Sequence, residues 1–296
     1  MAEPAARWID PAMVARLARL PFRSRRPVSG TMSGQHKSPH RGSSVEFAEY
    51  RKYAPGDDIR RLDWRVLARS DRYYMKEFEA ETNLRCHLLL DCSGSMAYGS
   101  GPISKFDRAR QLVASLIYLV VQQGDAAGLV CVRQGGLDEL PARRNPAHVR
   151  TLLESIDQAV PEGSAGLVAG IHEVAEKIRE RAVVVLVSDC FCPLSPLLEA
   201  LRHLDFKKHD LAVFQVVDPE ELTFPFERPT RFMDLESPGQ VTTEPSLIRR
   251  EYLDALQHHV EGLRDGCAQF RADFVQVPTT ANLEEVLADF LGDRLR

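Results

Sequence analysis

The stretch "LLLDCSGSMAYGS", Leu88 to Ser100, decides the fold. An apolar run ends in Asp91, and Ser93, Gly94 and Ser95 follow at once. A buried strand that stops on a carboxylate and turns through small polar residues presents side chains at the end of a sheet. The flanking pattern supports this. "LRCHLLLD" reads as the strand itself. Ser104 to Gln123 reads as a helix, with Ser104 and Asp107 at capping-box spacing and Phe106, Ala109, Leu112, Val113, Leu116, Ile117, Val120 and Val121 recurring every three or four residues. Gly124 is placed to end that helix.

The alternation continues. "AAGLVCV" is a strand, "PAHVRTLLESI" and "SAGLVAGIHEVAEKIRE" are helices, and "AVVVLVSD" is a fully apolar strand. Helix "LSPLLEALRHL", strand "DLAVFQVVD", an irregular stretch, helix "PSLIRREYLDALQHHVEGLRDG", strand "ADFVQVP" and helix "NLEEVLADFL" complete the chain. Strands apolar on both faces that alternate with helices predict an α/β fold: a mostly parallel sheet with helices on both faces. Ligands of such sheets bind beyond the carboxyl ends of the strands, where the strand order switches. Asp91 ends one strand and Asp189 another.

The bulk numbers place limits on the rest. The chain has 296 residues, 44% hydrophobic and 27% charged, with a net charge of -4. That is ordinary for a globular protein, and no overall field argues for nucleic acid or membrane. No apolar run approaches the roughly 18–20 residues of a membrane span. "MAEPAARWIDPAM" lacks the apolar core of a secretion signal. A soluble cytoplasmic protein is expected. Cys86, Cys92 and Cys131 sit in or beside strand-like runs, and Cys190 and Cys192 lack a second pair, so the cysteines read as structural thiols.

Three segments are expected: an N-terminal helix and basic arm (1–42), a dense charged and aromatic segment (43–82), and the α/β domain (83–296). In the first, "DPAMVARLARL" is a short helix capped by Asp10 with Pro11 at its first position. From Arg16 to Arg41 there are basic residues and no acidic ones, so the arm reads as a solvated tail or as a contact for RNA or an acidic partner. In the second, alternation in "YYMKEFEAE" predicts a strand.

Asp91, Ser93 and Ser95 supply one carboxylate and two hydroxyls, an oxygen-only set suited to a hard cation such as magnesium. With so little protein charge on it, the ion stays electrophilic and accepts an acidic group from a partner. Asp189 offers a second carboxylate, directly or through water. A third contribution is expected from the loop before "GLVAGIHEV", where Ser164 sits in "PEGSAG", unless Ser164 is only the N-cap of its own helix. The serines also read as plain turn residues.

Enzyme readings fit less well. An aspartyl phosphotransferase wants an acid two residues after Asp91, where Ser93 stands. "DCSGSM" does not match G-x-S-x-G, and there is no phosphate loop and no H-E-x-x-H. His172 lies beside Glu173 on a helix, and His258 and His259 are adjacent and point apart, so these read as surface or core residues rather than catalysts. A metal-dependent phosphoester hydrolase using Asp91 and Asp189 is the alternative, and RNA binding through the basic arm the third reading.

"DCSGSM" after an apolar strand resembles the metal-ion-dependent adhesion site of von Willebrand factor type A domains. The resemblance implies a von Willebrand factor A-like (Rossmann-like) sheet from about Leu84 to Leu291, with a divalent cation at its top. Asp91, Ser93 and Ser95 match the first ligand loop and Asp189 the third. The second loop departs from the pattern, because Ala165 stands at the usual Thr position and Ser164 one residue before it.

"GQHKSPHRGSSVEFAEYRKYAPGDDIRRLDWRVLARS" resembles the signature of the bacterial domain of unknown function 58 family. The match runs through His36, Ser38, Gly42, Glu46, Phe47, Tyr50, Arg51, Tyr53, Gly56, Asp57, Asp58, Arg60, Asp63 and Trp64. It implies a protein-interaction role beside an AAA+ ATPase of the MoxR type, in maturation or regulation of other complexes, with this segment packed on the α/β domain. Arg51, Arg60 and Arg61 among Asp57, Asp58 and Asp63 suit either a buried ion network or a partner surface.

Overall fold

The computed structural model describes residues 7–26, 33–37, 46–52, 66, 73–79, 81–82, 84–164 and 166–295. The chain divides into two units, residues 1–25 with 85–296, and residues 26–84. The larger begins with helix α1 (Pro11–Leu17). Asp10 caps it by accepting from the Ala12 and Met13 amides, and Met13, Val14 and Leu17 are buried.

The smaller unit contains β1 (Ser33–Lys37), β2 (Glu46–Lys52), β3 (Tyr74–Glu79) and β4 (Glu81–Thr82). Strand β2 pairs antiparallel with β3, and β1 with β4. The alternating "YYMKEFEAE" supplies the expected strand as β3, and its last residue opens the separate β4, whereas β2 has no clean period to announce it. Arg51 lies in β2 opposite Met75. Tyr53, Asp57, Asp58, Arg60, Asp63 and Trp64 lie outside the described residues, and with them the ion network or partner surface read there.

The larger unit is a covered sheet. In chain order it holds β5 (Arg85–Asp91), α2 (Lys105–Gln122), β6 (Ala126–Arg133), β7 (Gly136–Arg143), α3 (Pro146–Gln158), α4 (Leu167–Lys177), β8 (Val183–Ser188) and α5 (Leu194–Phe206). Then come β9 (Asp210–Val217), α6 (Pro219–Thr223), β10 (Thr230–Met233), β11 (Gln240–Thr243), α7 (Pro245–Gln269), β12 (Asp273–Pro278) and α8 (Leu283–Asp293). The six-stranded sheet has the order β12-β9-β8-β5-β6-β7, parallel throughout except for β7. Counted within this unit, that is the doubly wound order 6-5-4-1-2-3, whose switch point lies between β5 and β8.

Burial explains the apolar runs. Every residue of β8 and β9, and all of β5 after Arg85, is buried. Leu89, Val184, Leu186 and Val213 pack on one side against Ile171, Leu197 and Leu263 of α4, α5 and α7. On the other side Phe214 meets Phe290 of α8 at 4.8 Å, and Phe290 meets Phe22 at 6.0 Å. All six cysteines are free and five are buried, which is the behaviour of small apolar side chains.

Three features depart from the sequence reading. Strand β7 was not expected, because "GLDELPAR" is half-exposed and polar. It returns from β6 through a two-residue turn at Gln134 and Gly135, the latter at φ 90°. The irregular stretch after β9 contains the antiparallel pair β10–β11. The N-terminal helix does not group with the arm that follows it. Residues through Arg25 pack into the larger unit, with Arg16 gripping Glu284 through two hydrogen bonds of 2.6 and 2.5 Å and Arg25 pairing with Asp273 at 2.6 Å. Those two basic residues are therefore occupied within the fold rather than offered to RNA.

His87 sets an acid limit. It is 7% exposed in β5, and burial first, then the charges of His209 and Arg85, push its pKa down to about 4. A depressed histidine leaves its stability contribution intact above the unfolded value of 6.5 and loses it as pH falls toward 4. At pH 5 the loss is about 2 kcal/mol. His87→Leu should flatten this: chemical denaturation at pH 7 and pH 5 should give a smaller difference for the variant than for wild type. Equal differences would mean the imidazole does not control the effect.

Candidate metal centre

Strand β5 delivers Asp91 to its carboxyl end at the switch point. Its carboxylate is held on both oxygens: the Ser93 amide donates to Oδ1 at 2.9 Å, and Ser188 Oγ donates to Oδ2 at 2.5 Å. Ser188 is the last residue of β8, so Asp91 bridges the two strands that flank the switch point. The Ser93 and Ser95 hydroxyls lie 3.1 Å apart, on a 3-10 turn that starts at Gly94. Gly94 is required by its surroundings, since a Cβ there would stand 2.1 Å from the Leu235 carbonyl oxygen.

The second loop reaches the first through its backbone. The Gly94 amide donates to the Gly163 carbonyl at 2.8 Å, and the Glu162 amide to the Cys92 carbonyl at 3.0 Å. Ser164 is exposed, and among the described residues no hydrogen bond joins it to Asp91, Ser93 or Ser95. Nor does it cap α4. The cap is Gly166, in the left-handed conformation at φ 61° with no side chain to accept. Ala165 lies outside the described residues.

Asp189 follows β8 directly. The Phe191 amide donates to its Oδ1 at 3.1 Å, and Lys105 Nζ donates to its Oδ2 at 2.8 Å. The same ammonium donates to Glu221 Oε1 at 2.6 Å. Lys105 is 1% exposed and lies 4.8 Å from the Phe191 ring centre. Burial works against its charge, but Asp189 and then Glu221 outweigh that and hold its pKa above the ordinary lysine value. Glu221 is fixed in turn, because its Oε2 accepts from the Asp218 amide in the capping box of α6.

Sequence reasoning passed over Ser188, Lys105 and Glu221. One signal was available for the lysine. A cation at the first position of a helix opposes the helix dipole, and such a conflict marks a residue held by something else.

The cluster is short of positive charge. Asp189 and Glu221 share the ammonium of Lys105, and Asp91 feels the charge of Asp189, so among the described residues three carboxylates stand here against one ammonium. No ion pair reaches Asp91 among the described residues, and burial first, then the charge of Asp189, push its pKa up to about 6. A divalent ion would cancel the remaining two charges. The donor set fits a hard cation: in an octahedral shell with bonds of about 2.0–2.1 Å, neighbouring oxygens stand about 2.9 Å apart, close to the spacing of the two hydroxyls. No group of three or more His, Cys, Asp or Glu forms a metal cluster among the described residues, so an ion here depends on the serines.

A family model described as "Protein of unknown function DUF58" matches residues 49–262. The chain belongs to the DUF58 family. The match begins inside the signature that runs from His36 to Trp64. Relatives of this DUF58 chain include the uncharacterized protein Rv1480 of Mycobacterium tuberculosis, 28% identical over 77% of this chain and 72% of the relative. The uncharacterized protein YeaD of Bacillus subtilis is 32% identical over 31% of this chain and 21% of its own length. Among solved structures, the conserved hypothetical protein BatB from Bacteroides thetaiotaomicron aligns with a TM-score of 0.48 at 14% identity, over 72% of this chain and 99% of that one. The SpRpn10 VWA domain aligns at 0.42 and 14% identity, over 71% and 95%. No helix among the described residues of this DUF58 protein is long and apolar enough to cross a membrane.

Proposed function

We propose that this DUF58 protein is a divalent-cation-dependent protein-interaction module. Asp91, Ser93 and Ser95 would hold magnesium, with Asp189 behind them, and a partner's acidic side chain would complete the shell. The bound ion would supply an electrophilic point that recognises a carboxylate. The observation that carries this reading is the buried Asp91 carboxylate, which no ion pair reaches among the described residues, in a cluster where they leave two charges unbalanced. The family resemblance adds the partner class, an AAA+ ATPase of the MoxR type or its client, and the sequence reading of a cytoplasmic chain gives the place where they would meet.

The test has two arms. Calorimetric titration with magnesium should give saturable heat for wild type and none for Asp91→Ala. A purified MoxR-type ATPase should be retained by the immobilised wild-type chain, and lost with chelator or with Asp91→Ala. Equal heats for both proteins would remove the metal, and chelator-insensitive retention would separate the partner from it. Turnover of a simple phosphoester that disappears in Asp189→Ala would replace this reading with a metal-dependent hydrolase.

A further inference from the structure

Lys105 is a cation built into the candidate metal centre, and its placement says how that centre is tuned. Its ammonium sits on Asp189 Oδ2 at 2.8 Å and on Glu221 Oε1 at 2.6 Å, 1% exposed. It is not free to leave. It opens α2, its own amide donates to the Tyr98 carbonyl at 2.8 Å, and the Phe191 ring lies beside its ammonium. Glu221 is held by its capping box and Asp189 by the Phe191 amide. The seat is rigid on every side.

We propose that Lys105 acts as a resident competitor for Asp189. It neutralises that carboxylate from within and leaves an ion at Asp91, Ser93 and Ser95 with a single full negative charge from the protein. Ion binding is then weak on its own and is strengthened by the carboxylate a partner brings. This rests on the reading of Asp91, Ser93 and Ser95 as metal ligands. Lys105 is a positioning and affinity-setting residue that does not touch the ion itself. The sign of its effect separates this role from a structural one. If Lys105 only held the loop in shape, its loss would weaken ion binding. As a competitor, its loss strengthens it, because a unit positive charge no longer repels the ion at close range.

Manganese is the probe, titrated against the full chain and followed by the loss of free-ion paramagnetic resonance signal. Lys105→Met should bind manganese on the order of tenfold more tightly than wild type. Lys105→Arg, which keeps the charge, should restore wild-type affinity. Without metal, Lys105→Met should melt below wild type, and manganese should raise its melting temperature more than that of wild type. Should Lys105→Met fail to fold, Glu221→Gln decides: one negative charge fewer leaves the ammonium to Asp189 alone, and affinity should fall. Wild-type binding that depends on Asp91, with Lys105→Met no tighter or Glu221→Gln unchanged, overturns the competitor role and leaves the metal centre standing. Absence of binding in wild type and every variant overturns both.

Discussion

Asp91→Asn is expected to melt higher than wild type at pH 7.5 and to lose its response to magnesium. The carboxyl is raised from 3.8 to about 6 by burial and by Asp189. An acid whose folded pKa lies above its unfolded one costs stability once both states are ionised. The cost is absent below about pH 4, grows as pH rises toward 6 and is complete above that. It amounts to about 3 kcal/mol at neutral pH, or roughly 5–10 °C in melting temperature for a domain of this size. Asparagine keeps an acceptor for the Ser93 amide and removes the charge. Thermal melts from pH 4 to pH 7.5 should show the advantage of the variant vanish at the acid end. Magnesium should raise the melting temperature of wild type only. A variant less stable than wild type at pH 7.5 would show that the carboxylate is not strained by its neighbours.

Arg294→Met is expected to destabilise the larger unit by about 3–5 kcal/mol, the cost of leaving buried charges unpaired. The Arg294 side chain is fully buried, pairing with Asp210 at 2.9 Å and Asp273 at 2.7 Å while it packs against the Phe22 and Phe290 rings. The Arg23 carbonyl accepts from it, and Ser24 Oγ and the Arg25 amide donate to Asp210. It thus staples the N-terminal segment to the first residues of β9 and β12. Those strand starts are at the opposite end of the sheet from Asp91 and Ser188, which end their strands. Magnesium affinity should therefore be unchanged in whatever fraction stays folded. Urea denaturation measures the first effect and calorimetry the second. A loss below about 1 kcal/mol would place the staple among ordinary surface pairs.

The parts of the fold legible in the sequence are those with one dominant signal. Buried parallel strands such as "AVVVLVSD" are apolar throughout, and α2 carries both a cap and a periodic face. Strand β7 carries neither, since one side meets solvent and its polar residues break the pattern. In the candidate centre, Asp91, Ser93 and Ser95 could be grouped because they are adjacent in sequence. Ser188, Lys105 and Glu221 reach the same place from three other elements, and only the sheet order brings them there. Ser164 is the reverse case: it lies in the right loop by sequence, while the contact with the first loop is made by the backbone of Glu162 and Gly163.

Strand β7 has one more consequence. A sheet with open flanks invites copies of itself to add on by main-chain pairing. Here one flank carries Asp138, Glu139, Pro141 and Arg143, all exposed. The other, β12, opens with the ion-paired Asp273, ends on Pro278 and is touched by α7 and α8. Charge and proline discourage ribbon-like growth at both borders. Any visitor to this unit is thereby steered away from lengthening the sheet.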